Sequence, residues 1–167
     1  MSDGSLSRVL VTGGAGFIGR RAVQALLDQG HEVTTAPGMD AKGSMIPRLM
    51  RAARDGRKVP VDGDGTRRRD LVHFDDLVTG IFAAWRAGHN GPLIRGSGEP
   101  VTVNEIVDAA RSVTGAETPV GHVPAKPGEM PAVHIDISAA RSLGYQPRYD
   151  LKAGIATVWP EFSETAK

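Results

Sequence analysis

Apolar positions along the chain change their period several times, and each change predicts an element. Arg8 to Val11 is a short, nearly continuous apolar run ending at a glycine turn, the pattern of a parallel strand covered on both faces. From Phe17 to Gln29 the apolar residues Phe17, Ile18, Ala22, Val23, Leu26 and Leu27 recur at helical spacing, and Gly30 supplies a stop. His31 to Ala36 then predicts a second strand. This is a strand-helix-strand unit, whose crossover should be right-handed.

Pro37-Gly38 interrupts the pattern, and the stretch to Ser44 has little apolar content. We therefore divide the chain into an N-terminal βαβ unit, 1–40, and a C-terminal segment, 41–167, packed as one body. In the second part Ile46 to Arg54 predicts a helix, and Lys58 to Val61 an edge-like strand, since Pro60 cannot donate to a ladder. The turn residues 62–66, DGDGT, follow. Leu71 to Phe74 is a strand candidate, with Asp75 placed to cap a helix through Leu77, Val78, Ile81, Phe82 and Trp85. Pro92 to Arg95 is another candidate strand. Thr102 and Glu105 have the spacing of a capping box ahead of the apolar face Val103, Ile106, Val107, Ala110 and Val113. His134 to Asp136 should be extended, Ser138 opens a short helix ending at Gly144, and Asp150 caps a last helix through Ile155 and Trp159.

Composition narrows the class. At 167 residues, 40% hydrophobic and 23% charged, the chain can bury a core without staples. Twenty basic against nineteen acidic residues give a net charge of +1, which supplies no broad field for nucleic acid or a membrane. The chain has no cysteine, so disulfides and thiolate catalysis are excluded. MSDGSLSR has no apolar signal core, and no stretch approaches the roughly 20 apolar residues of a membrane span. The expectation is a cytoplasmic protein. The histidines lack metal-ligand spacing with other donors, so no metal site is expected.

The chemistry begins at TGGAGFIG, residues 12–19. Gly13, Gly16 and Gly19 follow one another at three-residue steps between a predicted strand and a predicted helix. Their missing side chains permit a tight turn, close approach of a pyrophosphate to backbone N–H groups, and close helix–strand packing. The helix N-terminus, at Phe17, Ile18 and Gly19, adds partial positive charge. Gly13, Gly16, Phe17, Ile18 and Gly19 are thus the candidate dinucleotide-binding residues. The acidic residue that usually ends the second strand to hold ribose hydroxyls is absent, the nearest acid being Asp40 beyond the Pro-Gly break. Arg20 and Arg21 leave NADP open beside NAD, although arginines on a first helical turn are more often solvated.

TGGAGFIG with LLDQGHEV resembles the opening of the extended short-chain dehydrogenase/reductase family, the NAD-dependent nucleotide-sugar epimerases and dehydratases. The likeness resumes at GSMIPRLM and runs through VDGDGTRRRDLVHFDDLVTGI, GSGEPVTVNEIV, KPGEMPAVHIDISAARSLGYQP and LKAGIATVW, which match in order the family's C-terminal, substrate-binding half. The resemblance implies an α/β fold, an abbreviated Rossmann-like, doubly wound and mostly parallel sheet with a small C-terminal substrate-binding α/β lobe. It implies NAD as cofactor and a nucleotide-diphosphate sugar as ligand. By resemblance Arg69 contacts the ligand's diphosphate, Lys126 stands where the family has an arginine in an RPGE-like segment, and Arg48 lies in a segment lining the nucleotide. The rival reading of Arg67-Arg68-Arg69 is a solvated turn.

The family's central part is missing, and with it the Tyr-x-x-x-Lys pair. That pair works because a lysine one helical turn away stabilises the phenolate of a tyrosine that must ionise near neutral pH. The two tyrosines here are Tyr145 and Tyr149; neither has a lysine four residues on, and Pro147 stands between them. No catalytic residue is assigned. The expectation is a family member that binds dinucleotide, nucleotide-diphosphate sugar or both, with impaired or absent catalysis on its own; the alternative is a non-enzymatic binding or partner module. Strands that have lost their neighbours leave edges to be covered, which predicts a homo-oligomer, most simply a dimer.

Overall fold

In the first of two units, Met1–Lys42, β1 (Arg8–Thr12) and β2 (Glu32–Ala36) pair in parallel and are joined by α1 (Phe17–Asp28). The computed structural model describes residues 6–36, 45–125, 128 and 132–163. Arg8 stands opposite Glu32, Leu10 opposite Thr34 and Thr12 opposite Ala36. The unit is closed at its base where the Ser7 carbonyl accepts the Glu32 N–H (3.1 Å) and the Ser7 N–H donates to His31 Nδ1 (3.2 Å). Ala22 and Leu26 are the buried face of α1, as their helical spacing requires.

The second unit, Gly43–Lys167, contains α2 (Met45–Asp55), β3 (Val59–Asp62), β4 (Arg68–Arg69), α3 (Phe74–Arg86), β5 (Val101–Thr102), α4 (Val103–Thr114), β6 (Val120–Val123), α5 (Ser138–Ser142) and α6 (Leu151–Ser163). β3 and β6 are parallel, with Val59 opposite Val120 and Pro60 opposite Gly121. β4 and β5 are antiparallel, with Arg68 opposite Thr102 and Arg69 opposite Val101. The fold class is α/β with mostly parallel pairing, delivered among the described residues as three two-stranded ladders. Its main core joins Leu49 and Met50 of α2, Val59 and Val61 of β3, Ile106 and Val107 of α4, and Ile155 of α6. Ile106 and Met50 have no exposed surface, so truncating either to alanine should cost about 2–5 kcal/mol.

Several local expectations change. Leu71-Val72-His73 is not a strand, and Phe74 opens α3. The cap of that helix is His73, whose Nδ1 accepts the Asp75 N–H (3.3 Å), so Asp75 lies in the first turn instead of at the cap. Pro92 to Arg95 forms no strand either. Conversely, β6 and the two-residue strands β4 and β5 exist because partners are brought to them. At α4 the capping box forms as expected: Thr102 Oγ1 accepts the Glu105 N–H (3.1 Å), and Glu105 Oε2 accepts the Thr102 N–H (2.6 Å). Asp150 also caps as expected, its Oδ1 accepting the Ala153 N–H at 2.7 Å. α6 runs past Trp159 to Ser163 with Pro160 inside it.

Candidate functional site

The first candidate site is the turn between β1 and α1. Gly13 has a φ of +71°, a conformation that a side chain would strain, and its carbonyl accepts the Gly16 N–H at 2.8 Å. Gly16 precedes α1 with extended backbone and offers no side-chain cap, so the first-turn N–H groups receive nothing from it. A Cβ on Gly19 would fall inside the Gly13 carbonyl group, and one on Gly14 would meet the Thr35 side chain of β2 at 2.5 Å. Gly19 thus sets how closely α1 approaches the turn, and Gly14 how closely the turn approaches β2. Gly13, Gly16, Phe17, Ile18 and Gly19 come together here, at the end of a strand and the start of a helix. Arg20 is exposed and Arg21 half-buried on the same helix.

The second candidate site lies within the second unit. A cleft of about 320 Å³ is lined by Arg48 and Leu49 of α2, Val59 to Asp62 of β3, Arg67, Arg69, Asp70 and Leu71, and Val103, Ile106 and Val107 of α4. The floor is the apolar core, and the polar groups sit at its wall. Arg48 is exposed and, among the described residues, makes no ion pair or hydrogen bond. Arg69 reaches the same cleft from β4, with its Nη1 donating to the Arg68 carbonyl at 2.8 Å. The structure therefore brings together Arg48 and Arg69; Lys126 lies outside the described residues.

Of the two lining carboxylates, Asp70 is fixed. Its Oδ1 accepts the Ser97 N–H (2.6 Å) and its Oδ2 the Gly98 N–H (2.9 Å), which ties the loop 96–98 to the strand that carries Arg69. The turn at 62–66 is also anchored: Asp64 Oδ1 accepts from the Thr66 N–H (3.0 Å) and hydroxyl (2.6 Å), and Asn104 Nδ2 donates to the Asp64 carbonyl (3.0 Å). The Thr66 hydroxyl and backbone bonds hold the Asp64 carboxyl below its ordinary pKa. What this wall can do chemically is to present guanidinium forks, over an apolar floor, to an anionic ligand.

Comparison with known proteins decides the family. The model of the NAD dependent epimerase/dehydratase family matches in two pieces, residues 9–38 and 35–95. The chain belongs to this family. GDP-L-fucose synthase 1 of Arabidopsis thaliana is 30% identical over 121 residues, 69% of this chain and 38% of that protein. dTDP-glucose 4,6-dehydratase of Streptomyces griseus is 33% identical over 115 residues, 67% of this chain and 35% of its own. The chain thus spans well under half the length of these curated relatives. Among solved structures, the UDP-glucose 4-epimerase of Thermotoga maritima with UDP-glucose superposes on 89% of this chain and 52% of its own with a TM-score of 0.68 and 21% identity, a likeness of fold.

In this epimerase/dehydratase family member, several side chains have positions that sequence reasoning did not give. Asp76 is 1% exposed, and its Oδ2 accepts the Arg148 and Tyr149 N–H groups, both at 3.0 Å. Its place four residues before Gly80 on the buried face of α3, with Phe74 and Val78 also buried, was the available signal. The His73 ring is held on both sides: Nε2 bonds Thr157 Oγ1 at 2.8 Å, and the ring centroid lies 3.9 Å from that of Tyr149. Tyr145 is wholly buried and donates its O–H to the Gly96 carbonyl at 2.8 Å. Burial first, then the Asp76 and Asp70 carboxylates, push its phenol up to about 12. Arg67 was not singled out, yet it lines the cleft beside Arg69.

Proposed function

We propose that this chain binds a nucleotide-diphosphate sugar in the cleft of its second unit and NAD at the glycine turn of its first, with catalysis impaired or absent in the chain by itself. The observation that carries this reading is that Arg48 and Arg69, from separate elements, line one cleft with an apolar floor. Two guanidiniums are suited to the oxygens of a diphosphate, and the floor to the flat face of a base. For the dinucleotide, Gly13, Gly16 and Gly19 form a cradle that side chains would fill, and the N-terminus of α1 favours negative charge. NAD, when bound, supplies a hydride acceptor; the residues that would hold its pyrophosphate are those of this turn.

Weak catalysis is supported by where the two tyrosines lie. A general base must give up its proton near neutral pH, whereas the Tyr145 phenol is held at about 12 and its O–H is engaged. Tyr149 packs against His73 with the two rings tilted by 31°, and Lys152 belongs to the next helix, begun by the Asp150 cap. Calorimetric titration with UDP-glucose, dTDP-glucose and NAD, followed by product analysis, tests the reading. Binding without turnover is the expected result, and sustained epimerisation or dehydration by the purified chain would overturn it.

A partner role is the second reading. In the first unit Leu6 (74%), Leu10 (64%) and Leu27 (50%) are widely exposed, and among the described residues β1 pairs only with β2. Such a surface favours association, with a second copy in a dimer or with a full-length relative. Light scattering behind size exclusion checks the former, for which a monomer at micromolar concentration is the contrary result. The lack of cysteine suits a reducing compartment, and we assign the cytoplasm on that ground. No described helix is long and apolar enough to cross a membrane.

A further inference from the structure

The run Arg67-Arg68-Arg69 divides its side chains between two environments. Arg67 and Arg69 line the cleft; Arg68 does not. Arg68 is exposed and donates from Nη1 to the Pro100 carbonyl at 2.9 Å. This is the alternation of extended backbone, in which successive residues point to opposite faces. The register is fixed from both sides. The Arg67 carbonyl accepts the Val103 N–H at 3.0 Å, the Arg68 carbonyl accepts the Val133 N–H at 3.3 Å, and Arg68 is paired with Thr102. Arg67 therefore enters the cleft from an anchored main chain, next to the capped start of α4.

The wall of the cleft then holds three guanidiniums, Arg48, Arg67 and Arg69, against the carboxylates of Asp62 and Asp70. Asp70 is already engaged by two backbone N–H groups. Resting on the reading of this cleft as a nucleotide site, we propose that Arg67 is a third phosphate-binding cation and that it makes the cleft select nucleoside diphosphates over monophosphates. A monophosphate is satisfied by one or two bidentate forks; the second phosphate of a diphosphate adds charge and acceptors that a further fork engages.

The test is calorimetric titration of the full chain with UDP and with UMP, for the wild type, Arg67→Gln and Arg68→Gln. Arg67→Gln should weaken UDP about tenfold and UMP by no more than about threefold, the difference expected when one charge-assisted contact is lost. Arg68→Gln should match the wild type with both ligands. The proposal is overturned if Arg67→Gln binds UDP like the wild type, loses both ligands equally, or behaves like Arg68→Gln. If the wild type binds UMP and UDP alike, selection by Arg67 fails while the nucleotide site stands; if it binds neither, the reading of the cleft fails and takes this one with it. Should Arg67→Gln not fold, Arg67→Lys keeps the charge without the fork and should still bind UDP more weakly than the wild type.

Discussion

Tyr145 and Gly96 are joined across 49 positions of chain by a buried hydrogen bond, phenol to carbonyl, at 2.8 Å. The next two residues of the same loop, Ser97 and Gly98, give their N–H groups to Asp70, beside Arg69. One short loop thus links the buried tyrosine to the wall of the cleft. A Cβ on Gly96 would meet the Asp70 carboxylate at 2.7 Å, so the contact leaves no room for a side chain there.

Replacing Tyr145 by phenylalanine should therefore act on stability and not on chemistry. The variant leaves the Gly96 carbonyl without its buried donor and should lose about 1–2 kcal/mol in urea unfolding. Because the folded phenol lies at about 12 against an ordinary value of 10.0, the folded state keeps a proton that the unfolded state releases. Wild-type stability should be unaffected below pH 10 and fall between pH 10 and 12, and this fall should be smaller in Tyr145→Phe. An identical alkaline profile in the two proteins would contradict the assignment.

Asp76 holds the segment before α6 through two backbone N–H groups, with Arg148 Nε a further 3.6 Å from Oδ1. Asp76→Ala removes the acceptor of two partly buried donors, and a loss of about 2 kcal/mol is expected. Asp76→Asn keeps one acceptor oxygen and should lose less. Chemical denaturation of the pair gives the ranking, and equal midpoints would show that the two N–H groups find other partners.

These contacts also explain what the sequence could and could not reveal. α1, α2 and α4 were legible because their buried residues, such as Leu26, Leu49 and Ile106, recur at helical spacing, and because Thr102 and Glu105 carry a local capping signal. Leu71 and Val72 look strand-like only by composition; the chain there serves instead as the approach to the His73 cap. β6 was not legible, since Val120-Gly121-His122-Val123 has no periodicity and becomes a strand by pairing with β3. At the cleft, Arg69 was suggested by its flanking residues, while Arg67 needed the alternation of the strand to separate it from Arg68.

The capping box at α4 should give the second unit an acid-sensitive component. The Thr102 backbone N–H, then its hydroxyl, hold the Glu105 carboxyl below its ordinary 4.5. A depressed carboxyl contributes stability that is present above its unfolded value and is lost as pH falls through the folded one. Glu105→Gln should flatten stability below pH 4.5, and Thr102→Ala should cost about 1 kcal/mol at neutral pH. Thermal melts at pH 3 and pH 7 measure both, and a Glu105→Gln curve parallel to the wild type across that range would count against the box.

Gly19 offers the sharpest test of the glycine turn. A methyl group at this position would overlap the Gly13 carbonyl, which is backbone and already bonded to the Gly16 N–H, so nothing flexible can move aside. Gly16 is different: its φ of −75° suits any residue, and an added Cβ would stand 3.1 Å from the same carbonyl oxygen, a contact that small shifts relieve. Gly19→Ala should therefore displace α1 from the β1–β2 pair and expose it to exchange, whereas Gly16→Ala should retain the packing. Amide hydrogen exchange of β2 reads this directly, with protection expected to drop in the first variant and persist in the second. On the proposed assignment of the two sites, the same displacement should abolish NAD binding by Gly19→Ala while leaving UDP affinity, assigned there to Arg48 and Arg69 of the other unit, as it was. Loss of UDP binding together with NAD would show that the two ligands do not use separate units.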